Sequence, residues 1–372
     1  MPSTIQTDKI GKLGFGYMRL PRKGDGFDME QINRMADAFI AGGGTYFDTA
    51  FVYEGSEVAL RESVIKRYPR DSVQIATKLN LGFLEKPEQL EEQYKTSFER
   101  LGTDYFDFYL LHGMSAMTAK KADDLGAWDF FKGLKEKGLI RHMGFSFHGQ
   151  AADLDEILSK HPEVEFVQLQ INYLDWDNPK VNSKGMYEAA RKHGKPVIVM
   201  EPVKGGMLTG DTSPIAGLLH KANPNASMAS WALRYAAGLE GVMVTLSGMS
   251  AFEHVVDNVS TFTDLKPLSS EEKAVLDEAI AVFNAVPRIP CTSCRYCVND
   301  CPQKIAIPML IETYNNYLTY NTTTNLDHGY HMATRNGGKA SDCINCRVCE
   351  GICPQKIDIV VTLEKVAALF DK

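Results

Sequence analysis

Residues 73–112 have the sequence VQIATKLNLGFLEKPEQLEEQYKTSFERLGTDYFDFYLLH, which predicts a strand, a helix and a second strand. The short runs Val73–Thr77 and Phe106–Leu111 are mostly apolar, as strands buried in a parallel sheet are. The segment between them, Pro87–Leu101, begins with proline and is followed by Gly102, which are start and stop signals of a helix. The stretch therefore predicts one βαβ unit with two parallel strands.

The same alternation of short apolar runs and longer amphipathic segments extends over residues 12–262. Asp28–Ala41, for example, has apolar side chains at helical spacing. Eight repeats in roughly 250 residues is the size of a (β/α)8 barrel. A doubly wound sheet would usually carry GxGxxG after its first strand, and Gly11, Gly14 and Gly16 lack that spacing. We therefore expect an α/β protein with a TIM barrel, whose strands are Lys12–Gly16, Thr45–Asp48, Val73–Thr77, Phe106–Leu111, Ile140–Ser146, Phe166–Gln170, Pro196–Met200 and Val242–Leu246.

Length and composition limit the class of protein. The 372 residues suit one large domain and a small one, and the net charge of −7 argues against a nucleic-acid partner. No apolar run approaches the ~18 residues of a membrane span. The first residues, MPSTIQTDKIGKLGFG, lack the apolar segment of a secretory signal. We expect a cytoplasmic protein with no membrane partner.

The cysteines are confined to one end of the chain. There are eight, and all lie within Cys291–Cys353. A disulfide scaffold would not leave the preceding 290 residues without cysteine, so this clustering indicates metal ligation. We expect a barrel domain over 1–265, a linking helix over 266–287 that starts near Ser270, and a small metal-binding domain over 288–372.

The cysteine region contains an internal repeat. CTSCRYCVNDCPQKIAI (291–307) and CINCRVCEGICPQKIDI (343–359) share ten of seventeen positions. Each contains C-x2-C-x2-C-x3-C-P. Zinc is the alternative metal for such thiolates, but zinc sites usually pair two C-x2-C knuckles. The four-cysteine runs therefore favour iron–sulfur clusters.

These runs resemble those of bacterial-type ferredoxins, in which the fourth cysteine of each run ligates the other cluster. The resemblance implies two 4Fe–4S clusters, one held by Cys291, Cys294, Cys297 and Cys353 and the other by Cys343, Cys346, Cys349 and Cys301. The 41 residues between the runs exceed what a compact β-hairpin ferredoxin needs. With the helical pattern at Ile307–Leu318, they favour the mainly α-helical type of ferredoxin domain. The remainder of the spacer, to Gly337–Gly338, is polar and predicts a loop.

Four polar residues stand at or just after the carboxyl ends of predicted strands, where barrel enzymes place their catalytic groups. They are Asp48, Tyr53, Lys78 and His112. Over about residues 10–263 the chain resembles the aldo-keto reductases, and these four match the family's catalytic tetrad. The resemblance implies that Tyr53 protonates a carbonyl oxygen and that Lys78 lowers the pKa of Tyr53. It also implies that Asp48 holds Lys78 in an ion pair and that His112 orients the carbonyl.

The same resemblance implies a nicotinamide cofactor, NADP or NAD. The family's opening GxG, its GxS and its later glycine-rich stretch are matched by Gly14–Gly16, Gly144–Ser146 and Gly205–Gly206. The cofactor-binding residues it implies are Ser146, Gln168, Gly205, Gly248 and Asn258. The sequence departs from the family where Asn is common (Phe147), where a Tyr stacks on the nicotinamide (Met200), and where Lys and Arg grip the 2′-phosphate (Gly248 and His254).

Three functions are compatible with this combination. The first is an oxidoreductase that reduces a small carbonyl compound or oxidises an alcohol, while two 4Fe–4S clusters pass electrons to a carrier protein. The second is an electron-transfer or docking protein with a non-catalytic barrel, against which the intact tetrad argues. The third is a plain reductase with structural clusters. A hydride carries two electrons whereas a cluster passes one at a time, and no flavin motif is evident to couple them.

Overall fold

The computed structural model of the chain describes residue 5, residues 10–179 and residues 181–371. Its contacts form two compact units, one of the described residues up to Val203 with Ala229–Ser269, the other of Lys204–Met228 with the described residues from Ser270 onward. The division at 265 and 288 stays a prediction. Along the described residues, no helix has the length and apolar composition needed to cross a bilayer. The N-terminal stretch in which we expect no secretory signal includes residues 1–4 and 6–9, which lie outside the described residues.

Eight parallel strands in the described part of the first unit close into a barrel, as the sequence predicts. The barrel closes at β1, which pairs with β8 on one side and β2 on the other. A short antiparallel hairpin, Arg22–Lys23 with Gly26–Phe27, follows β1. The barrel strands are β1 Leu13–Gly16, β2 Tyr46–Asp48, β3 Gln74–Leu79, β4 Phe106–Met114, β5 Ile140–Phe147, β6 Phe166–Gln170, β7 Val197–Met200 and β8 Val242–Ser247.

Helices surround the strands of the first unit. The predicted helices at Asp28–Ala41 and Pro87–Leu101 are present as α1 and α3, with the Asp28 carboxylate accepting from the Gln31 N–H and Gly102 ending α3 at φ 61°. Helix α2 continues as a π-helical turn over Arg61–Ile65. The helices of this unit are α1 Met29–Ala41, α2 Ser56–Leu60, α3 Glu88–Leu101, α4 Ala116–Leu125, α5 Ala127–Glu136, α6 Ala151–Lys160, α7 Ser183–Lys192, α9 Met228–Ala237 and α10 Phe252–Thr263. Helix α8, Ala216–Ala222, comes between α7 and α9 in the sequence and belongs to the second unit.

The two-residue period of a strand sorts side chains between the inside and the outside of the barrel. On β2, Tyr46 packs inside the barrel against Phe108. The next residue, Phe47, packs outside against Phe39 of α1. Asp48 therefore returns to the inner face, at the carboxyl end of the strand.

Gly14, the first glycine of the GxG motif, has a packing role. A Cβ built on Gly14 would lie 2.6 Å from Cδ2 of Leu246 and 2.7 Å from Cγ1 of Val244, both on the neighbouring strand β8. These distances are too short for any side chain, so the filled barrel interior requires glycine at this position.

The second unit is mainly helical, as predicted. Its core is formed by apolar residues of α13, α14 and α16 together with three of the cysteines. The predicted helices at Ser270 and Ile307–Leu318 are α11 and α13. The prediction of a loop up to Gly338 is wrong over Leu326–Thr334. The helices are α11 Ser270–Ala285, α12 Tyr296–Asn299, α13 Ile307–Tyr320, α14 Leu326–Thr334, α15 Val348–Ile352 and α16 Ile359–Phe370.

Candidate active site and iron–sulfur ligands

A buried ion pair lies at the mouth of the barrel. Lys78 and Asp48 are 1% and 4% exposed, and the Lys78 ammonium donates to Oδ1 of Asp48. The same ammonium donates to the backbone carbonyl of Thr49 at 2.7 Å. Neighbouring parallel strands end at the same edge of the sheet, which brings β2 and β3 together here. The structure thus pairs two of the four predicted tetrad residues.

Tyr53 and His112 complete the group. The Lys78 Nζ lies 5.1 Å from the centre of the Tyr53 ring. The Tyr53 and His112 rings meet edge to face, with their centres 5.6 Å apart. The four tetrad residues therefore surround one small region, although Tyr53 comes from the loop after β2 and not from a strand.

Electrostatics keep Tyr53 protonated. Burial raises the pKa of the Tyr53 hydroxyl, and the charges of Asp48 and Glu201 raise it further. Lys78 lowers the pKa of Tyr53 by its charge and by a hydrogen bond, but burial outweighs this effect and the net shift is upward. Lys78 thus lowers the pKa of Tyr53 as expected, but the other effects together raise it more. At neutral pH the hydroxyl is therefore protonated.

Lys78 stays charged for a related reason. Burial alone would lower the pKa of its ammonium, but Asp48 and Tyr53 together raise that pKa through charge and hydrogen bonds. The site therefore holds a full positive charge next to a neutral phenol.

His112 is neutral. Burial, and then the nearby charge of Lys78, lower its pKa to about 3. Among the described residues, its Nδ1 is one of the buried polar atoms without a hydrogen-bond partner. A neutral imidazole can orient a substrate oxygen with its N–H, whereas it is a poor proton reservoir at neutral pH.

Two of the predicted cofactor-binding residues are adjacent to the tetrad. Ser146 on β5 and Gln168 on β6 are register partners, and both are buried. The Ser146 hydroxyl accepts from the backbone N–H of Gly113 at 2.9 Å. The Gln168 amide donates to Oδ2 of Asp48 at 3.0 Å. The sequence did not indicate this link between Gln168 and the tetrad.

The other predicted cofactor residues lie elsewhere. Gly248 follows the end of β8, and the Asn258 amide donates to the Ser247 hydroxyl at 2.8 Å. His254 accepts at Nδ1 from the Ser250 N–H at 3.3 Å, where the family has a phosphate-binding cation. Gly205 belongs to the second unit, with φ 64°.

The eight cysteines line two cavities in the second unit. The first is lined by Cys291, Cys294, Cys297 and Cys353. The second is lined by Cys301, Cys343, Cys346 and Cys349. Each cavity thus takes three cysteines from one run and the fourth from the other, which is the grouping that crossed ligation requires. None of the eight cysteines, all of which lie within the described residues, forms a disulfide.

The backbone of both runs also fits an iron–sulfur cluster. Left-handed φ values recur at equivalent non-glycine positions of the two repeats: 54° and 58° at Ser293 and Asn345, and 66° and 58° at Arg295 and Arg347. Such conformations are costly for non-glycine residues and form concave nests of backbone N–H groups, a feature of many iron–sulfur sites. Four cysteines around each cavity and the repeated left-handed backbone positions beside them fit a 4Fe–4S cluster.

Comparison with known protein families assigns two parts of the chain to described domains. Residues 12–281 match the aldo/keto reductase family. The chain belongs to this family. Residues 290–357 of this aldo/keto reductase match a 4Fe–4S dicluster domain. It therefore combines an aldo/keto reductase domain with a 4Fe–4S dicluster domain.

Curated relatives agree with this assignment. The aldo-keto reductase str7 of Strobilurus tenacellus is 31% identical over 225 residues, which are 55% of this chain and 63% of the relative. The chain thus spans less than two thirds of that relative. An aldo-keto reductase of Mycolicibacterium vanbaalenii is 29% identical over 245 residues, or 64% of this chain and 80% of that protein.

Solved structures show the same fold. The holo form of aldo-keto reductase AKR11C1 from Bacillus halodurans matches with a TM-score of 0.59 and 25% identity, over 72% of this chain and 92% of that one. An aldo-keto reductase from Klebsiella pneumoniae in complex with NADPH matches with a TM-score of 0.59 and 22% identity, over 73% and 91%. The matches cover about three quarters of this aldo/keto reductase, enough for its barrel.

Two acidic residues near the tetrad, Glu201 and Glu57, were not predicted from the sequence. Glu201 follows β7 with φ 54°, and its charge raises the pKa of Tyr53. Its position after a strand end was the available signal. Glu57 is a buried carboxylate on α2 that binds Arg100. Nothing in the local sequence distinguishes Glu57 from a solvated helical glutamate, because its partner is distant in the chain.

Proposed function

We propose that this aldo/keto reductase reduces the carbonyl group of a small aldehyde or ketone, or oxidises the corresponding alcohol, with NADPH or NADH at the barrel mouth. The observation that carries the proposal is the arrangement of Lys78 between Asp48 and Tyr53, beside a neutral His112. A phenol next to a buried ammonium is suited to give a proton to an oxygen that gains negative charge.

Each tetrad residue has a different role in the proposed reaction. A nicotinamide cofactor, when bound, would supply a hydride, which the carbonyl carbon would accept. The Tyr53 hydroxyl donates its proton to the carbonyl oxygen, and Lys78 stabilises the tyrosinate that remains. His112 orients the carbonyl by a hydrogen bond from its ring N–H. Asp48 keeps Lys78 in place, and Gln168 fixes the second carboxylate oxygen of Asp48.

Residues next to the tetrad would hold the dinucleotide. Ser146 and Gln168 would bind the carboxamide of the nicotinamide, and Gly248 and Asn258, near the end of β8, would bind the adenosine part. The polar, buried Ser146–Gln168 pair beside Asp48 supports this assignment. An NAD/NADP-dependent indole-3-acetaldehyde reductase of Schizosaccharomyces pombe is 28% identical over 186 residues, which supports an aldehyde substrate and leaves both dinucleotides open.

The second unit holds two 4Fe–4S clusters in crossed ligation. One is bound by Cys291, Cys294, Cys297 and Cys353, and the other by Cys343, Cys346, Cys349 and Cys301. The two cysteine-lined cavities support this assignment. Such clusters supply one-electron transfer when bound, and we propose that they exchange electrons with a carrier protein.

One observation favours structural clusters as the second candidate. Cys297, Cys349 and Cys353 belong to the apolar core of the second unit, so ligands at these positions would also stabilise its fold. Reversible reduction separates the two roles. A carrier role predicts clusters that a low-potential reductant reduces and that reoxidise without loss of iron, whereas structural clusters need not be reducible.

The proposed function is tested on anaerobically purified protein. We expect about eight irons and eight acid-labile sulfides per chain, by analogy with two-cluster ferredoxins. We also expect oxidation of NADPH or NADH that depends on an added aromatic aldehyde. Stoichiometric zinc without a brown chromophore would contradict the cluster assignment. Absence of aldehyde-dependent oxidation with both dinucleotides, and of the reverse reaction with the alcohols, would contradict the proposed reaction.

A further inference from the structure

The loop that carries Tyr53 is tied down by polar contacts at both ends. At its start, the Thr49 carbonyl accepts from Lys78 at 2.7 Å. At its end, the Ser56 hydroxyl lies 2.6 Å from that of Thr49 and donates to the Tyr17 carbonyl at 2.8 Å. Between these ends, local backbone hydrogen bonds hold Tyr53 itself, and Phe51, two residues earlier, links the loop to β3 and α3.

Phe51 is held from two sides. Its N–H donates to the backbone carbonyl of Lys78 at 3.2 Å. Its carbonyl accepts from Nη1 of Arg100, on α3, at 3.0 Å, and the Arg100 guanidinium lies 4.6 Å from the centre of the Phe51 ring. The middle of the loop therefore depends on an arginine that is 49 residues away in the chain.

Glu57 fixes that arginine. Its side chain is 1% exposed, and Oε2 accepts from the same Nη1 of Arg100 at 3.3 Å. Its other oxygen, Oε1, accepts from the Thr77 hydroxyl at 2.7 Å. Thr77 immediately precedes Lys78 on β3. One carboxylate thus connects the strand that carries Lys78 to the arginine that holds the Tyr53 loop.

We propose that Glu57 and Arg100 form a positioning pair that keeps the Tyr53 hydroxyl within hydrogen-bonding reach of Lys78. The proposal rests on the proposed function, since it assigns the pair to the proton-donating step. Neither residue touches substrate in this account. The ion pair between the buried Glu57 carboxylate and the half-exposed Arg100 adds little net stability to the fold, because the cost of desolvating the charges offsets much of their attraction. Glu57 contacts β3 at Thr77, and its partner Arg100 contacts the loop at Phe51, so the pair joins these two elements.

The first arm of the test is kinetic. Glu57→Gln keeps the shape and an acceptor for Thr77 but removes the charge that holds Arg100. We expect kcat for aldehyde reduction to fall about ten- to a hundredfold, with KM and the dinucleotide Kd unchanged, because a small misplacement of a catalytic group costs this much. Arg100→Met should behave alike, and Arg100→Lys should retain most of kcat. The double variant, Glu57→Gln with Arg100→Met, should be no slower than either single variant, since both remove the same contact.

The second arm does not depend on activity. Hydrogen exchange of the backbone over 49–56 should speed up in Glu57→Gln and Arg100→Met, and exchange over the other β-strands should not. The matched control is Glu62→Gln, which removes a solvent-facing carboxylate paired with Arg61 and Lys66 one turn further on. It should change neither kcat nor exchange.

The two arms separate this inference from the proposed function. If wild-type protein shows no turnover, the proposed reaction is contradicted. Hydrogen exchange of the loop still tests the positioning pair in that case. If the wild type turns over and Glu57→Gln matches Glu62→Gln in both kcat and exchange, the positioning role is overturned. Equal losses in kcat for Arg100→Lys and Arg100→Met, without faster exchange of the loop, would also overturn it.

Discussion

The side-chain amide of Gln168 donates to Oδ2 of Asp48 at 3.0 Å, on the oxygen that Lys78 does not take. Both oxygens of this buried carboxylate are therefore engaged, and its orientation is fixed from β3 and from β6. The residue expected to bind the nicotinamide carboxamide also supports the tetrad. In the proposed function, dinucleotide binding and proton donation would therefore both depend on Gln168.

Gln168→Met removes this donor and leaves the shape of the side chain. We expect the free energy of unfolding of the barrel to fall by about 1.5–3 kcal/mol, because Oδ2 of Asp48 loses a hydrogen bond to a charged group. Dinucleotide affinity should fall as well. All three tryptophans, Trp128, Trp176 and Trp231, lie in the first unit, so urea unfolding followed by their fluorescence reports on the barrel. Gln170→Met, which removes a longer contact of 3.3 Å to Asp175, is the control. Equal losses for both variants would mean that the Asp48 contact has no special weight.

Lys78→Met leaves Asp48 buried without its cation. The free energy of unfolding should fall by ~3–5 kcal/mol, since an uncompensated buried charge is costly. Lys66→Met removes an exposed ion pair with Glu62 and should cost less than about 1 kcal/mol. The same fluorescence titration in urea compares the two. Similar losses in the free energy of unfolding for the two lysine variants would show that the Asp48–Lys78 pair behaves like a solvent-exposed ion pair.

The lowered pKa of His112 predicts that the free energy of unfolding depends on pH. Its pKa of about 3 in the folded chain lies below the 6.5 of an unhindered histidine. Between these values the unfolded chain binds the extra proton, so stability is full above pH 6.5 and falls as the pH drops toward 3. His112→Gln should flatten this part of the stability curve. The kcat of the wild type should show no limb near pH 6.5 from this residue, and such a limb, absent in His112→Gln, would contradict a neutral His112.

Crossed ligation predicts which cysteine variants act together. Cys301→Ala and Cys346→Ala should each remove about four irons, and combining them should remove no more, because both thiols line one cavity. Cys301→Ala combined with Cys294→Ala should remove all of about eight. Iron analysis and electron paramagnetic resonance of anaerobic protein measure this. Loss of all iron in the Cys301→Ala, Cys346→Ala double variant, with partial loss in the other, would mean that each run binds its own cluster.

Local patterns were sufficient to predict much of the fold. The eight barrel strands are apolar runs of strand length, and helix α3 carries its own proline start and glycine stop. The helix α14 was missed, although Leu326, Tyr330 and Ala333 recur at helical spacing and are buried. The polar residues around this narrow apolar stripe led to the prediction of a loop.

The site could be predicted only in part. The tetrad positions follow from strand ends, which are local in sequence. The Gln168–Asp48 contact joins residues 120 positions apart, and the Glu57–Arg100 pair joins residues 43 apart. The net pKa of Tyr53 depends on how deeply the loop is buried, which no spacing reveals. Long-range contacts and burial were therefore the missing information.

The central claim, that Tyr53 is the proton donor of a carbonyl reductase, is tested most directly by Tyr53→Phe. The measurement is anaerobic steady-state reduction of an aromatic aldehyde by NADPH and by NADH, with dinucleotide binding followed by fluorescence. We predict that kcat falls by about a hundredfold or more while dinucleotide Kd stays the same, because the hydroxyl acts only as charge develops on the substrate oxygen. Wild-type turnover in Tyr53→Phe would contradict the account.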